Sequence, residues 1–471
     1  MMARNKVVLY NPVSVFYTMP LALLAIGSYL DPKKYEVIII DGRLAKDPLG
    51  EVLKACEGAV CFGTTVLTGA PIKDALHITR GVKAKFPNLV TCWGGWHPSL
   101  FPDETLEEAS VDVVVTGQGE ITFAELLLAI EGKQSFEGIK GIHYKKENKA
   151  VANAPRATVD INLFPEFNYD LIPVESYFKL KGRRQMDYIS SQGCRFRCSF
   201  CADPFMYKRG WYGFTPERMG RELETLWHKY KFDDLNFQDE TFFTYKDRVI
   251  GIANEIINRN LKFTWFGTMR ADQGVRLGDD IYKLCKKSGL NRVMIGLEAG
   301  SQEMLDWMKK DIKIEQIFES AKKCVENGLA INFSIIVGFP GEKETSVNET
   351  LRVARELRKM SSDFALNIFY FKPYPGNDIA VGLLKDGYQF PKGLEQWAGF
   401  DYVGSTSEWI NEKQYKQIES FKFYHKVGWN RGNVLSAGIQ KIARWRCENH
   451  NYTLPVEKMV YEFLKPPVRL S

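Results

Sequence analysis

Apolar runs recur before residue 125, each separated from the next by enough chain for a helix and its loops. They are Val7–Tyr10, Glu36–Ile40, Ala59–Gly63, Leu89–Trp93 and Val111–Val115. Helix-like patterns fall between them, at Pro20–Leu30 and Pro71–Lys85. Such alternation predicts an α/β fold with an open, doubly wound parallel sheet. Ligands on such sheets bind beyond the carboxyl ends of the strands. Those ends carry Thr64-Thr65-Val66-Leu67-Thr68-Gly69, Gly94-Gly95-Trp96-His97-Pro98-Ser99 and Thr116-Gly117-Gln118-Gly119-Glu120. Their glycines let a backbone approach a large ligand closely.

A hairpin opening at Gly141-Ile142-His143-Tyr144 and a stretch at Phe164-Pro165 read as a connector. From Met186 the alternation resumes. Strands are predicted at Met186–Ser190, Asp234–Phe237, Phe263–Phe266, Val293–Leu297, Ile331–Val337 and Phe364–Phe369, with helices such as Thr215–Lys229 and Ile314–Asn327. Six βα units predict a partial (β/α)6 barrel, whose chemistry sits at the C-terminal strand ends. Beyond residue 380, Glu412–Val427 and Val434–Arg446 have helical composition and carry Tyr415, Phe421, Phe423, Tyr424 and Trp445. They predict a small helical cap that packs its aromatics into its own core. The expected division is 1–135 for the first sheet domain, 136–180 for the connector, 181–380 for the barrel and 381–471 for the helical region.

Composition narrows the field. A chain of 471 residues holds two or three domains. Lys and Arg total 63 against 57 for Asp and Glu. That small surplus is spread along the chain, so no nucleic-acid partner is expected. No apolar run approaches the roughly 18 residues of a membrane span. The opening Met1-Met2-Ala3-Arg4-Asn5-Lys6 lacks the long apolar segment and cleavage site of an export signal, which points to the cytoplasm. Six dispersed cysteines, Cys56, Cys61, Cys92, Cys285, Cys324 and Cys447, read as small buried hydrophobes. The dispersal argues against a disulfide framework and against a second cluster.

The remaining three cysteines carry the chemistry. Cys194, Cys198 and Cys201 stand in Gly193-Cys194-Arg195-Phe196-Arg197-Cys198-Ser199-Phe200-Cys201, directly after the first barrel strand. Three thiolates can hold three irons of a [4Fe–4S] cube and leave the fourth open to a small molecule. A structural zinc site usually takes four ligands, often as two close pairs, and no second pair exists. A disulfide needs an oxidising compartment.

The C-x3-C-x2-C spacing, with aromatic Phe200 before the last cysteine, resembles the signature of the radical S-adenosylmethionine (SAM) enzymes. The preceding sheet loops resemble the Rossmann-like cobalamin-binding domain of the cobalamin-dependent (class B) subfamily. The resemblance covers roughly residues 5–378 and implies three cofactors: a [4Fe–4S] cluster, SAM and cobalamin. Thr64, Thr65, Leu67, Gly69, Gly94, Gly95, His97, Gly117 and Gly119 then line the cobalamin. The D-x-H-x-x-G motif that supplies a histidine below cobalt in many cobalamin proteins is absent. His97 is therefore read as a hydrogen-bonded turn histidine, not an axial ligand. Residues of the Thr64–Gly69 loop are expected to cover the lower face.

At the barrel strand ends the resemblance assigns Asp239, with Glu240, to the ammonium of SAM, which carboxylates suit by charge-assisted hydrogen bonding. Arg270 is placed at the SAM carboxylate or the substrate. Glu298 is placed at the SAM ribose, with Ser301 beside it. The implied activity is methylation of an unactivated carbon by a 5′-deoxyadenosyl radical and methylcobalamin. Such a carbon cannot attack SAM directly, which is why two cofactors are needed. The implied substrate is a large apolar small molecule, for example a bacteriochlorophyll-type tetrapyrrole or a hopanoid-type lipid. An electron donor such as flavodoxin or ferredoxin is implied as a partner. Tetrapyrrole cyclisation is the nearest alternative. Methylthiolation, which calls for three further cysteines with cluster spacing, is more distant, as is a cobalamin carrier or sensor with a vestigial cluster.

Overall fold

In the computed structural model Val7, Val8, Leu9 and Tyr10 are buried in succession, the mark of a strand covered on both faces. The structure describes residues 4–147, 149–401, 405–429, 437–453 and 455–458. These form two units, one built from residues 4–267 and 373–401, the other from 268–372 and the described residues after 404.

The first unit opens with five parallel strands: β1 (Asn5–Asn11), β2 (Tyr35–Asp41), β3 (Ala59–Thr65), β4 (Val90–Gly94) and β5 (Val113–Val115). The hairpin β6 (Ile142–Lys146) and β7 (Lys149–Ala152) adds an antiparallel edge. The strand order is β2-β1-β3-β4-β5-β6-β7, so the winding reverses between β1 and β3. That switch point is where such sheets open a ligand crevice. Helix Pro71–Lys85 starts on a proline at its first turn, where the missing N–H costs nothing. It buries Ile72, Ala75, Leu76, Ile78, Thr79 and Val82 at helical spacing. Thr79 accepts the indole N–H of buried Trp93 at 3.0 Å, which makes that large side chain tolerable inside.

The returning segment 373–401 changes one expectation. The expected division gives 373–380 to the barrel and 381–401 to a separate helical region, whereas all of 373–401 groups with the first unit. Its short helix Leu394–Trp397 sends Leu394 and Trp397 into the core formed by Val66, Ile72, Trp93 and Val111.

The barrel strands of this unit are β8 (Gln185–Tyr188), β11 (Asp234–Phe237) and β12 (Thr264–Met269), paired in parallel around β11. Between β8 and β11 lies an antiparallel ribbon, β9 (Ser191–Gly193) with β10 (Trp211–Gly213). In the second unit β13 (Leu290–Glu298), β14 (Ala330–Val337) and β15 (Phe364–Tyr370) form parallel pairs. On β14, Ile331, Phe333, Ile335 and Val337 are fully buried at period two. Each of the six barrel strands is followed by at least one helix, so the (β/α)6 expectation holds.

Helices Glu412–Gly428 and Ala437–Asn449 follow. Phe421 and Tyr424 are buried there, while Trp445 is half exposed, so the aromatics only partly serve a core. The predicted helix start at 434–436, and residues 459–471, lie outside the described residues. All six dispersed cysteines are buried, as small hydrophobes are.

Candidate active site

The three cysteines occupy the loop between β9 and β10, and the ribbon closes that loop at its base. Gly193 pairs with Trp211 there. It has φ +92, and an added Cβ would stand 2.3 Å from the Gly210 carbonyl oxygen, so only glycine fits. A backbone bond from Cys201 N to Cys198 O (3.2 Å) turns the chain between the last two cysteines. All three thiols are half-buried, and so is Phe200. Burial pushes the Cys194 thiol up to about 11, and pushes Cys201 well above its ordinary range, with neighbouring Asp203 adding to it. Metal charge reverses such an effect, because a coordinating thiol is deprotonated outright. Among the described residues no three His, Cys, Asp or Glu side chains converge as ligands of a single metal ion do. The fit of this loop to a cluster therefore rests on its donor set, three soft thiols on one glycine-hinged loop.

The adjacent acids Asp239 and Glu240, just beyond β11, have separate surroundings. Asp239 is buried and fully engaged. Its Oδ1 accepts the Ser190 N–H at 2.7 Å, and its Oδ2 accepts the hydroxyls of Ser190 and Ser191, each at 2.6 Å. Arg248 completes the network by donating to the Ser190 carbonyl (2.7 Å) and hydroxyl (2.8 Å). Burial outweighs the Arg248 charge and holds Asp239 above the usual carboxylate range. Asp239 thus staples the start of the ribbon. Glu240 accepts the Tyr207 hydroxyl at Oε1 (3.0 Å) and its own backbone N–H, while its buried Oε2 has no partner. Burial, reinforced by Asp203, pushes Glu240 up to about 8. An unpaired buried carboxyl oxygen fits an incoming cationic donor such as the ammonium of SAM.

The carboxyl ends of β1, β3, β4 and β5 open onto a cavity of about 400 Å³. Thr64, Thr65, Leu67, Gly94, Gly95, Gly117 and Gly119 line it, seven of the nine residues expected at cobalamin. The walls are small, and Leu67 is left 41% exposed, an apolar side chain lacking a cover. Gly95 has φ +94, and a Cβ there would lie 2.7 Å from the Thr65 hydroxyl oxygen and 2.8 Å from Val66 N. The cavity fits a bulky group held by backbone and small side chains.

Two of the nine expected residues, Gly69 and His97, do not line that wall. Gly69 turns away, with an added Cβ meeting the Phe400 carbonyl at 3.2 Å. His97 is fully buried between Phe101 and Trp397, with ring centroids at 5.4 and 5.5 Å. Its Nδ1 meets the Thr68 hydroxyl at 3.2 Å, and burial lowers its pKa to about 4. The turn-histidine reading is the one its surroundings support.

A second cavity, of about 310 Å³, adjoins the first. Trp96, Glu120, Gln192 and Tyr207 line both. Gln238 and Glu240 bound the second alone. Gln118 fastens the β5 loop to the ribbon by donating to Gln192 Oε1 at 3.0 Å. On β8, Asp187 accepts the Met19 N–H at 2.8 Å, tying the β1–α connection to the barrel strands. Sequence reasoning missed Trp96, Tyr207, Gln192 and Asp187. Trp96 alone carried a signal, its place inside the glycine-rich β4 loop.

In the second unit Glu298 ends β13 at a bulge with φ +57, an uncommon conformation for a residue with a side chain and a frequent mark of functional sites. Its carboxylate accepts the Lys310 ammonium at 2.7 Å, both groups buried. Arg270 is buried too, donating to Asp272 Oδ1 (2.9 Å) and the Lys310 carbonyl (2.5 Å). Ser301 is buried before helix Gln302–Trp307. Arg270 and Glu298 thus converge on one residue, Lys310, which sequence reasoning did not single out.

Comparison with known proteins agrees with this arrangement. The model of the B12 binding domain matches residues 8–127, and that of the radical SAM superfamily matches residues 188–354. An uncharacterized methyltransferase of Pyrococcus horikoshii is 29% identical over 418 residues, which is 87% of this chain and 88% of that protein. An anaerobic magnesium-protoporphyrin IX monomethyl ester cyclase of Synechocystis is 26% identical over 301 residues, covering 62% of this chain and 59% of the cyclase. The cobalamin-dependent SAM radical enzyme OxsB, solved with aqua-cobalamin and SAM bound, shares the fold at a TM-score of 0.76 and 17% identity, over 98% of this chain and 75% of that one. Among the described residues no helix is long and apolar enough to cross a membrane. The chain thus carries a B12-binding domain ahead of a radical SAM domain, the domain pair of the cobalamin-dependent radical SAM enzymes, and the cofactors of that pair are a [4Fe–4S] cluster, SAM and cobalamin.

Proposed function

We propose that this protein is a C-methyltransferase acting on an unactivated carbon of a largely apolar small molecule. The observation that carries the reading is the pair of adjoining cavities. One opens at the carboxyl ends of the first sheet, the other at the ribbon under the cysteine loop, and Trp96 and Tyr207 stand in both walls. A small molecule in the second cavity can therefore be reached from both sides, as positioning between two cofactors demands.

In this account Cys194, Cys198 and Cys201 hold the cluster. Glu240, with its unpaired oxygen, receives the SAM ammonium, and Asp239 keeps the ribbon in place. Thr64, Thr65, Leu67, Gly94, Gly95, Gly117 and Gly119 would cradle the cobalamin. When bound, these groups supply one-electron cleavage of SAM and a transferable methyl group. Tyr207 orients Glu240 through its hydroxyl, and Trp96 with Tyr207 limits water between the cavities. A flavodoxin or ferredoxin supplies the electrons.

The reading is tested with SAM carrying a labelled methyl group, given anaerobically to the reduced, reconstituted protein. Label in the cobalamin fraction, matched by S-adenosylhomocysteine, is expected. Deoxyadenosine with no label in cobalamin would favour the second reading, a cyclisation of the kind named for the Synechocystis relative.

A further inference from the structure

The second cavity has a one-sided chemistry. Trp96, Phe164, Phe167, Tyr207 and Phe214 give it aromatic walls, with Met19 and Ile161 filling between them. Its ionisable groups are the carboxyls of Glu120 and Glu240 and the phenol of Tyr207. Among the described residues that line it there is no Lys, Arg or His. Neither carboxyl is balanced by a basic partner in the cavity. Glu240 is held by the Tyr207 hydroxyl and its own N–H, and the carboxyl of Glu120 is held by the N–H groups of Gly119 and its own residue at the start of helix Glu120–Glu131. Whether charged or protonated, a carboxyl offers no positive charge to a ligand. With Glu240 taken by the SAM ammonium, Glu120 is the acid left facing a substrate, and an anionic group entering here gives up its water with no cationic side chain of the wall to receive it. Aromatic faces attract the opposite sign, since their ring quadrupoles favour cations.

We propose that the substrate is an aromatic or other apolar body that is neutral or carries an amine, and that acids are rejected as ligands of this cavity. The inference rests on the cavity being the substrate site, and it narrows the proposed function to a substrate class. Phosphorylated and carboxylated small molecules are excluded by charge, and amines are favoured by Glu120 and by the aromatic walls.

The test uses three probes of one shape: 2-naphthylmethanol, 2-naphthylmethylamine and 2-naphthoate. Binding to the holoprotein, loaded with cluster, hydroxocobalamin and SAM, is measured by equilibrium dialysis. The alcohol and the amine are expected to bind at least about tenfold more tightly than the acid. Thr18, half-buried in the wall, provides the locating variant: Thr18→Lys brings in a cation and is expected to raise the affinity for 2-naphthoate while weakening the amine. Equal or tighter binding of 2-naphthoate to the unaltered protein overturns the inference. So does binding that Thr18→Lys leaves unchanged, because the probes then sit elsewhere, and so does failure of all three to bind protein with full iron and cobalt. Methyl transfer is not read in this assay, so an absence of methyl transfer leaves the substrate-class result standing.

Discussion

Asp239 and Glu240 are neighbours of the same charge, and the proposed function gives them different duties. Asp239→Ala removes the acceptor of three short hydrogen bonds, at 2.6–2.7 Å, from Ser190 and Ser191. The two hydroxyls can turn to other partners, whereas the Ser190 N–H cannot. The Arg248 guanidinium, already holding a buried NH1 without a partner, loses its counter-charge. Leaving a buried cation unopposed costs about 3–5 kcal/mol. Asp239→Asn keeps an acceptor and loses only the charge, for about 1–2 kcal/mol. Urea unfolding of the apoprotein, followed by tryptophan emission through its first transition, reads both losses. Iron bound after reconstitution should fall with Asp239→Ala, because Ser191 begins the strand that closes the cysteine loop. Glu240→Gln should leave unfolding nearly unchanged and weaken SAM binding about tenfold or more, as expected when a charge-assisted bond is lost. If Asp239→Asn abolished SAM binding at full stability, and Glu240→Gln did not affect it, the division of labour argued above would be wrong.

Three further outcomes follow from the geometry. Gly193→Ala forces a Cβ against the Gly210 carbonyl, so the ribbon opens and iron content after reconstitution drops while cobalt retention persists. Leu67→Asp places a charge on an exposed lining residue of the first cavity; cobalamin retained through gel filtration should fall, with thermal stability unchanged. His97 has a pKa lowered to about 4 by burial, so the unfolded chain takes up a proton first as pH falls. Stability from this group is complete above about pH 6.5 and declines toward pH 4 by about 1.4 kcal/mol per unit. His97→Phe should lower the slope of stability against pH in that window by about one proton.

The parts legible in the sequence are those set by local pattern. Val7–Tyr10 reads as a strand because its four apolar residues are covered on both faces, and the βα rhythm follows from repeats of that kind. The cysteine trio reads as a cluster loop because ligand spacing is itself local. What was not legible depends on contacts across long stretches of chain. That His97 sits in a turn is legible from its Gly-Gly-Trp-His-Pro loop; what closes over it is not, because Trp397 lies 300 positions later. The sequence favours Asp239 over Glu240 for the SAM ammonium, because nothing in a dipeptide tells which carboxylate meets two serines 48 and 49 residues upstream. Tyr207 gains importance only because the ribbon brings it beside Trp96, with ring centroids 5.9 Å apart.

The account's central claim is that one cysteine loop and one glycine-lined cavity hold two metal cofactors in the same chain. The most direct measurement is anaerobic reconstitution with iron, sulfide and hydroxocobalamin, followed by gel filtration and metal analysis of the wild type and of Cys198→Ala. The account predicts about four irons and one cobalt per wild-type chain, and cobalt with little iron for Cys198→Ala. Iron undiminished in Cys198→Ala, or a wild type that retains iron and no cobalt, would contradict it.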